Sequence, residues 1–252
     1  MTARYTFPNA WELARRRLEL LEACHDPGSF RRAAALGVGP GSRCLDAGAG
    51  AGSFARWLAD RTGDVLAVDI DVRLVEEIAA PGLEVRRHDL AHDELPRGEF
   101  DFVHTRLVLI HVPERDAVLR RLADALRPGG VLLVEEDDIY PLATTKGAYR
   151  EAWDAVLELT GAGGLDGEWA RDLPERLGQL GLADVGAEVD TQLFLGGSEI
   201  AQFWNLTWLQ ARDGVVARGI AGEVIDRGRA ALDDGTRWFH GPAKVIAWGW
   251  RR

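Results

Sequence analysis

A glycine-rich turn followed by two aspartates is the part of the sequence best suited to ligand binding. The turn lies between an apolar run and a helical pattern, and it carries three alternating glycines, Gly48, Gly50 and Gly52. Glycines in such a turn let a ligand approach the backbone closely. Asp69 ends the next apolar run and Asp89 follows the third. Carboxylates there can accept the hydroxyls of a ribose and the amino group of an adenine, so the pattern indicates a site for an adenosine-containing molecule.

These residues can meet because short apolar runs alternate with helical patterns, which is typical of βαβ units in a parallel sheet. Five strands are predicted in this part of the chain, at residues 43–46, 65–69, 83–88, 100–104 and 131–135. Ligands of open α/β sheets bind outside the carboxyl ends of the strands. We therefore expect the functional groups to gather at that edge.

Helices are predicted around this core, with two more strands towards the end of the chain. The helices are expected at residues 11–23, 54–61, 73–79, 115–126, 149–160, 173–180, 199–213 and 215–232, a turn at 127–130, and the last strands at 183–194 and 243–250. We predict one domain over residues 1–252. It comprises an N-terminal helical extension (1–40), a cofactor-binding core (41–138) and a substrate-side half (139–252), in which about 196–234 is a helical insertion forming a cap.

Composition argues against several classes of partner. The 252 residues carry a formal net charge of −10 without a basic stripe, which is poorly suited to a phosphate backbone. No apolar run approaches the ~20 residues that span a bilayer, and the N-terminus is charged, so we expect a cytoplasmic protein without a membrane partner. Cys24 and Cys44 lack a CxxC spacing, which argues against zinc or a disulfide framework. A small molecule is the expected partner, and the sequence leaves a homodimer open.

With these strand ends the sequence resembles the class I S-adenosylmethionine-dependent methyltransferases, and in particular the group that acts on small molecules. The resemblance covers residues 43–136, including Phe-Asp-Phe-Val-His at 100–104, Leu-Val-Leu-Ile-His-Val-Pro at 107–113 and Leu-Arg-Pro-Gly-Gly at 126–130. It implies a Rossmann-like α/β fold. Its mostly parallel sheet would have seven strands in the order 3-2-1-4-5-7-6, the last strand antiparallel, and its cofactor would be S-adenosyl-L-methionine.

The resemblance also implies roles for individual residues of the turn and the strand ends. Asp69 would hold the ribose and Asp89 would select adenine, while Ile70 and Leu90 would lie on either side of the adenine ring. The residues expected to shape the pocket around the methionine part of the cofactor are Asp46, Gly48, Gly50 and Gly52.

Two arginines outside the turn are further candidates for the cofactor site. Arg106 lies just past the fourth strand, where it would line the cofactor or substrate pocket or, alternatively, lie on a solvated helix start. Arg15, Arg16 and Arg17 in the N-terminal helix are available to the cofactor carboxylate, and Arg17 is our candidate. We interpret this helix as a lid over the methionine end.

His111 is the candidate general base for an oxygen or activated carbon acceptor, because an imidazole titrates near neutrality and the segment after the fourth strand borders the site. A structural hydrogen-bonding role is the alternative, and His104 and His240 are second-line candidates. The expected substrate-binding residues are Trp153, Trp204 and Trp208. Together with the other tryptophans of this half they indicate an apolar or aromatic acceptor.

Other classes of protein fit less well. A nicotinamide oxidoreductase shares the glycine turn, but Ser53 stands where that pattern needs Gly or Ala, and no Tyr precedes a Lys by four residues. The chain also lacks the Asn/Asp-Pro-Pro-aromatic loop of nucleic-acid amino methyltransferases. Asp137 and Asp138 could supply one side of a magnesium shell, yet the end of the fourth strand offers no carboxylate, so no metal is expected. A cofactor-binding relative that does not methylate, as a regulator or cyclisation catalyst, stays open.

Overall fold

The computed structural model describes residues 7, 10–78 and 80–252, and a seven-stranded sheet forms its centre. The strands are β1 Cys44–Ala47, β2 Val65–Asp69, β3 Leu83–Arg87, β4 Phe100–Arg106, β5 Leu126–Asp138, β6 Ala183–Leu195 and β7 Trp238–Trp250. Their order is β3-β2-β1-β4-β5-β7-β6. Strands β1 to β5 pair in parallel, and β7 runs antiparallel to both β5 and β6. The structure confirms the predicted α/β fold and strand order.

Seven α-helices flank the sheet in the described part of the chain. They are α1 Ala14–Ala35, α2 Ser53–Thr62, α3 Arg115–Ala125, α4 Gly147–Ala162, α5 Leu173–Gln179, α6 Glu199–Ala217 and α7 Gly222–Leu232. Among the described residues, no helix is both long enough and apolar enough to cross a membrane.

The N-terminal helix is longer than predicted. It does not end at Ala23 but continues to Ala35 with Pro27 inside it, although a proline removes one hydrogen bond of a helix and clashes with the preceding turn. Tertiary contacts offset this cost, because Ser29, Arg32 and Ala33 in the second half of α1 are buried. The helix packs on α2 and α6.

Two other helix boundaries were wrong. Residues 73–79 were expected to be helical, but only Val75–Glu77 forms a short 3-10 helix, and Ala79 lies outside the described residues. Pro81 disfavours a helical conformation of the residue before it, so the chain straightens early towards β3. The predicted break at Gly214, between helices at 199–213 and 215–232, is also wrong, because α6 continues to Ala217 and α7 begins at Gly222. A Cβ at Gly214 would lie 2.9 Å from Leu159, so this glycine lets α6 pack closely on α4.

The last strands also begin earlier than expected. Strand β5 starts at Leu126, so the predicted turn at 127–130 is part of the strand, and β7 starts at Trp238 instead of residue 243. The antiparallel pairing of β6 with β7 explains the second extension, because Leu195 pairs with Trp238 and Phe194 with Phe239. Backbone pairing there provides hydrogen bonds that the apolar pattern does not reveal.

A second core lies beneath the predicted cap, between α4, α6, α7 and the start of β7. Trp208 is fully buried there, with its ring centroid 5.4 Å from that of Tyr149 and 5.7 Å from that of Trp153. Aromatic side chains in such arrangements contribute through their large buried area. Trp208 therefore stabilises the packing of these helices, which corrects its expected place in the substrate site.

Replacing Trp208 with alanine should destabilise the protein by about 3–5 kcal/mol, the range for removing a large aromatic side chain from a core. Trp238→Ala is the matched control, since Trp238 is 64% exposed, and it should change stability by no more than ~0.5 kcal/mol. Urea unfolding followed by tryptophan fluorescence and circular dichroism measures both. Equal losses for the two variants would contradict the core role of Trp208.

Candidate functional site

A cavity of about 920 Å³ opens at the carboxyl ends of the strands and is covered by α1, α4 and α6. This volume lies towards the upper end of the range of small-molecule sites, roughly 300–1,000 Å³. The candidate site residues that line it are Arg17, Gly48, Gly50, Asp69, Ile70, Asp89, Leu90, Arg106, His111, Trp153 and Trp204. The sheet topology thus brings residues from distant parts of the sequence to one edge.

The glycine turn forms one side of this cavity. Gly48 and Gly50 have φ values of 85° and 59°, which L-amino acids with a side chain rarely adopt. A Cβ at Gly48 would also overlap Val108. Gly52 does not line the cavity. Its φ is 92°, and a Cβ there would lie 2.7 Å from Val75 and from Ile78, so it serves the packing at the start of α2.

Asp69 joins the glycine turn to the end of β2. Its Oδ2 accepts a hydrogen bond from the Gly50 amide and its Oδ1 accepts one from the Asp71 amide, both at 2.9 Å. Burial raises the pKa of this carboxyl. A carboxylate offers about four acceptor positions, so two remain for the hydroxyls of a ribose. Ile70, next to it, exposes 51% of its surface although it is apolar, as expected of a side chain that covers a planar ligand.

The end of β3 contributes Asp89 and Leu90. Asp89 Oδ1 accepts a hydrogen bond from the Ala91 amide, and His92 Nδ1 lies 2.9 Å from Asp89 Oδ2. Leu90 is buried and lines the cavity. His88 also lines it, and its Nδ1 is buried without a hydrogen bond to any described residue. This end of the cavity therefore offers a nucleobase a carboxylate, an imidazole nitrogen and an apolar contact surface.

Two arginines border the cavity in different electrostatic situations. Arg17 of α1 is buried, and its Nε and Nη2 make no hydrogen bond within the described structure. Its guanidinium lies 5.5 Å from the ring centroid of Phe7. Arg106 instead donates to Asp26 at 2.8 Å and to Ser29 at 2.9 Å. Buried donors without partners are costly, so Arg17 is suited to an anionic ligand group, whereas Arg106 holds α1 in place.

Asp46 lies outside the cavity wall, although it was expected to contact the cofactor. It is buried and accepts a hydrogen bond from His104 Nδ1 at 2.8 Å, while His104 Nε2 lies 3.4 Å from Glu135. Burial lowers the pKa of His104, but Asp46 and Glu135 raise it by more. His104 is therefore committed to this pair of carboxylates.

His111 is in the cavity wall, in a short 3-10 helix after β4. Burial, together with the positive charges of Arg17 and Arg115, lowers its pKa to about 4. The ring lies edge-on to Phe7, with centroids 6.4 Å apart. At neutral pH the imidazole is consequently uncharged. It can accept a hydrogen bond, but its basicity is weak.

The far side of the cavity is aromatic. The rings of Trp153 from α4 and Trp204 from α6 lie edge to face with centroids 4.5 Å apart, and Phe203 lies 4.7 Å from Trp204. Trp204 Nε1 is buried without a hydrogen-bond partner in the described part of the chain. Thr160 and Thr207 add hydroxyl groups to this wall. Trp153 Nε1 is also buried without a hydrogen-bond partner among the described residues. A flat apolar molecule with hydrogen-bond acceptors suits these surroundings.

A carboxylate that was not among the expected site residues also lines the cavity. Asp137, near the end of β5, faces the cavity, and burial raises the pKa of its carboxyl to about 6. The signal in the sequence is the run of four acidic residues at 135–138, of which Asp137 and Asp138 were expected at most to supply one side of a magnesium shell. No group of histidine, cysteine and carboxylate side chains suited to a metal ion occurs among the described residues.

Comparison with known proteins places these features in a family. The model of a family described as "Methyltransferase domain" matches residues 10–178. The methyltransferase GfsG of Streptomyces halstedii is 36% identical over 110 residues, which is 40% of this chain and 40% of that protein. A sarcosine/dimethylglycine N-methyltransferase of Halorhodospira halochloris is 28% identical over 225 residues, covering 84% and 75% of the two chains.

A solved structure shares the fold. Phosphoethanolamine N-methyltransferase 2 of Haemonchus contortus, in complex with S-adenosyl-L-methionine, superposes with a TM-score of 0.56 and 18% identity, covering 100% of this chain and 56% of that one. Among the curated relatives, the chain spans only about two fifths of the length of GfsG.

Replacing Asp69 with alanine should weaken binding of an adenosine ligand by about 1–3 kcal/mol, because two ribose hydroxyls lose their acceptor. Asp64→Ala is the matched control, since Asp64 is exposed just before β2, at the opposite end of the strand. Calorimetry with S-adenosylhomocysteine measures both variants. Equal affinities of Asp69→Ala and the wild type would remove this residue from the site.

Replacing Arg17 with methionine should lower the affinity for S-adenosylhomocysteine about tenfold or more, because the ligand carboxylate loses a charged partner. Arg16→Met is the control on the same helix, where Arg16 is exposed and pairs with Glu19. Fluorescence titration measures the affinity of both variants for S-adenosylhomocysteine. S-adenosylhomocysteine without its carboxyl group should bind Arg17→Met and the wild type equally, and a persisting difference would contradict the assignment.

Proposed function

Because the chain belongs to the methyltransferase-domain family, whose cofactor is S-adenosyl-L-methionine, we propose that it methylates an oxygen or carbon atom of a small, apolar or aromatic molecule. A role in secondary metabolism is part of this proposal. The observation that carries it is the wall of Trp153, Phe203 and Trp204, which lines the same cavity as the glycine turn. An acceptor there would be held mainly by apolar and aromatic contact.

The bound cofactor supplies a methyl group on a positively charged sulfur that is already an excellent leaving group. The protein therefore has to bind the cofactor and the acceptor, align them and exclude water from the site. We assign the carboxylate of the cofactor to Arg17, the ribose to Asp69 and the adenine to Asp89, with Ile70 and Leu90 on either side of the ring. Gly48 and Gly50 make room for the methionine part.

The charges of the cavity wall favour an apolar acceptor over an amino acid. The similarity to a sarcosine/dimethylglycine N-methyltransferase raises the alternative of a small zwitterionic acceptor, whose carboxylate would need a cation. Among the described lining residues the arginines are Arg17 and Arg106. Arg17 is assigned to the cofactor, and Arg106 is already paired with Asp26. The acceptor side thus lacks a suitable cation.

His111 was expected to remove a proton from the acceptor. Its pKa of about 4 makes it a weak base, because general bases work best when their pKa lies near the operating pH. We therefore propose that the neutral imidazole orients the acceptor by a hydrogen bond.

Other expectations from the sequence stay predictions. We propose that the protein acts in the cytoplasm on free small molecules and not on nucleic acid or a membrane. A homodimer is compatible with the exposed edge strand β6, which presents Val189 and Leu193 to solvent.

The proposal can be tested with methyl-labelled S-adenosylmethionine and three acceptors: 2-naphthol, sarcosine and phosphoethanolamine. We expect the label to appear in 2-naphthol and not in either amine. Trp204→Ala should raise the KM for 2-naphthol at least about tenfold without changing cofactor affinity, since the truncation removes part of the aromatic wall. Transfer to sarcosine alone would refute the apolar acceptor. If the protein binds the cofactor but transfers no methyl group to any acceptor in a wider panel of phenols and enols, the result would favour the alternative function, that of a cofactor-binding protein that does not methylate.

A further inference from the structure

Four consecutive carboxylates end β5, and three of them have partners in the described structure. Glu135 lies between His104 and Arg32. Glu136 accepts hydrogen bonds from the amides of residues 108 and 109. Asp138 accepts two hydrogen bonds from Arg171. The carboxylate of Asp137 makes no hydrogen bond or ion pair with any described residue, and this is the one that lines the cavity.

The charged groups around Asp137 leave its carboxylate able to accept a proton. Lys244 is its register partner on β7 and lowers its pKa, and Lys244 Nζ makes no hydrogen bond to Asp137 or to any other described residue. Asp138 raises the pKa of Asp137. The other titratable and charged side chains in these surroundings are Arg106 and Glu135 on the sheet, Asp190 on β6, and His25, Asp26 and Arg32 on α1. Each of the carboxylates among them is paired with an arginine.

We propose that Asp137 receives the proton of the methyl acceptor, which therefore carries an O–H group at the atom to be methylated. This inference rests on the proposed function. In the step, the acceptor O–H bond gives its proton to the Asp137 carboxylate, and the oxygen electron pair forms the bond to the methyl carbon. The electrons of the breaking carbon–sulfur bond stay on sulfur. The products are a methyl ether, S-adenosylhomocysteine and a neutral carboxyl group, which loses its proton to water.

Asp137 suits this task better than His111. Burial raises the pKa of Asp137 to about 6 and lowers that of His111 to about 4. The group whose pKa is nearer to the operating pH is the better base while still being ionised at pH 7. The anionic form of Asp137 would in addition favour the positive sulfur of the cofactor, whereas an imidazolium would repel it.

The first test needs no acceptor. S-adenosylmethionine carries a positive sulfur that S-adenosylhomocysteine lacks, so the ratio of their Kd values reports a nearby negative charge. In the wild type we expect the preference for S-adenosylmethionine to fall about fivefold to tenfold between pH 7.5 and pH 5, as Asp137 becomes protonated. In Asp137→Asn the ratio should not change with pH. Calorimetry measures both ligands, and groups that affect them equally cancel in the ratio.

Asp138→Asn is the matched control, because it removes a carboxylate from the neighbouring position, which does not line the cavity. Asp138 raises the pKa of Asp137, so its removal should keep the change in the ratio but move it to lower pH. A pH-independent ratio in the wild type, or an unchanged pH dependence in Asp137→Asn, overturns the proposal. A wild type that binds neither ligand overturns the cofactor site and with it the proposed function.

The second test measures methylation of 2-naphthol. Asp137→Asn should lower kcat by about 10²–10⁴-fold, the usual contribution of a general base, with cofactor affinity at pH 5 and melting temperature retained. His111→Gln should lose less than about tenfold. The wild-type kcat/KM should fall on the acidic side near pH 6 and not near pH 4. Normal turnover by Asp137→Asn overturns the proposal. Failure of 2-naphthol as an acceptor counts against the proposed acceptor class, and the ratio of Kd values then decides on Asp137.

Discussion

The position of α1 on the sheet depends on ion pairs between the buried guanidinium of Arg32 and three carboxylates, of which Glu135 is buried and Glu188 and Asp190 are about half exposed. Arg32 of α1 lies 3.1 Å from Glu188, 2.5 Å from Asp190 and 3.8 Å from Glu135. Such pairs are weak evidence for overall stability, but the buried guanidinium of Arg32 would be costly to leave in the interior without its carboxylates. The helix therefore fits the sheet in one position. Since α1 also carries Arg17, the same pairs determine where an anionic ligand group can bind.

The polar groups at the carboxyl edge of the sheet are of two kinds, those paired within the protein and those without a partner among the described residues. Asp46 is paired with His104 and Arg106 with Asp26, so both support the wall of the cavity through partners within the protein. Arg17 Nε and Nη2 lack such partners among the described residues, and the partly buried carboxylate of Asp137 faces the cavity without a hydrogen bond or ion pair to them. Buried polar groups are normally hydrogen-bonded, and these two groups line the same cavity. Ligand groups of complementary charge would supply the missing partners, an anionic group for Arg17 and a positive or proton-donating group for Asp137.

The sequence predicted the sheet and the first three strand ends because both follow from local patterns. Short apolar runs and the glycine turn determine strand positions, and the parallel topology then brings Gly48, Asp69 and Asp89 together. The second half of α1 was missed, since Pro27 ends a helix by local rules and only tertiary packing retains it. Asp46 was misplaced for a similar reason. Its partner His104 lies on another strand, and a contact between strands is not visible in one sequence.

The proposed acceptor side of the cavity shows a further limit of local pattern. Trp204 and Trp208 are one helical turn apart on α6, a spacing that places both on the same face, yet Trp204 lines the cavity and Trp208 is fully buried. The difference is one of depth along the helix, which the packing of α6 on α4 and α7 determines. Residues in the first turns of α6 can therefore vary with the acceptor, whereas the position of Trp208 and those beyond it are constrained by the core. Changes of acceptor in this fold should accordingly arise near Phe203 and Trp204, where a new side chain alters the cavity without disturbing the packing beneath it.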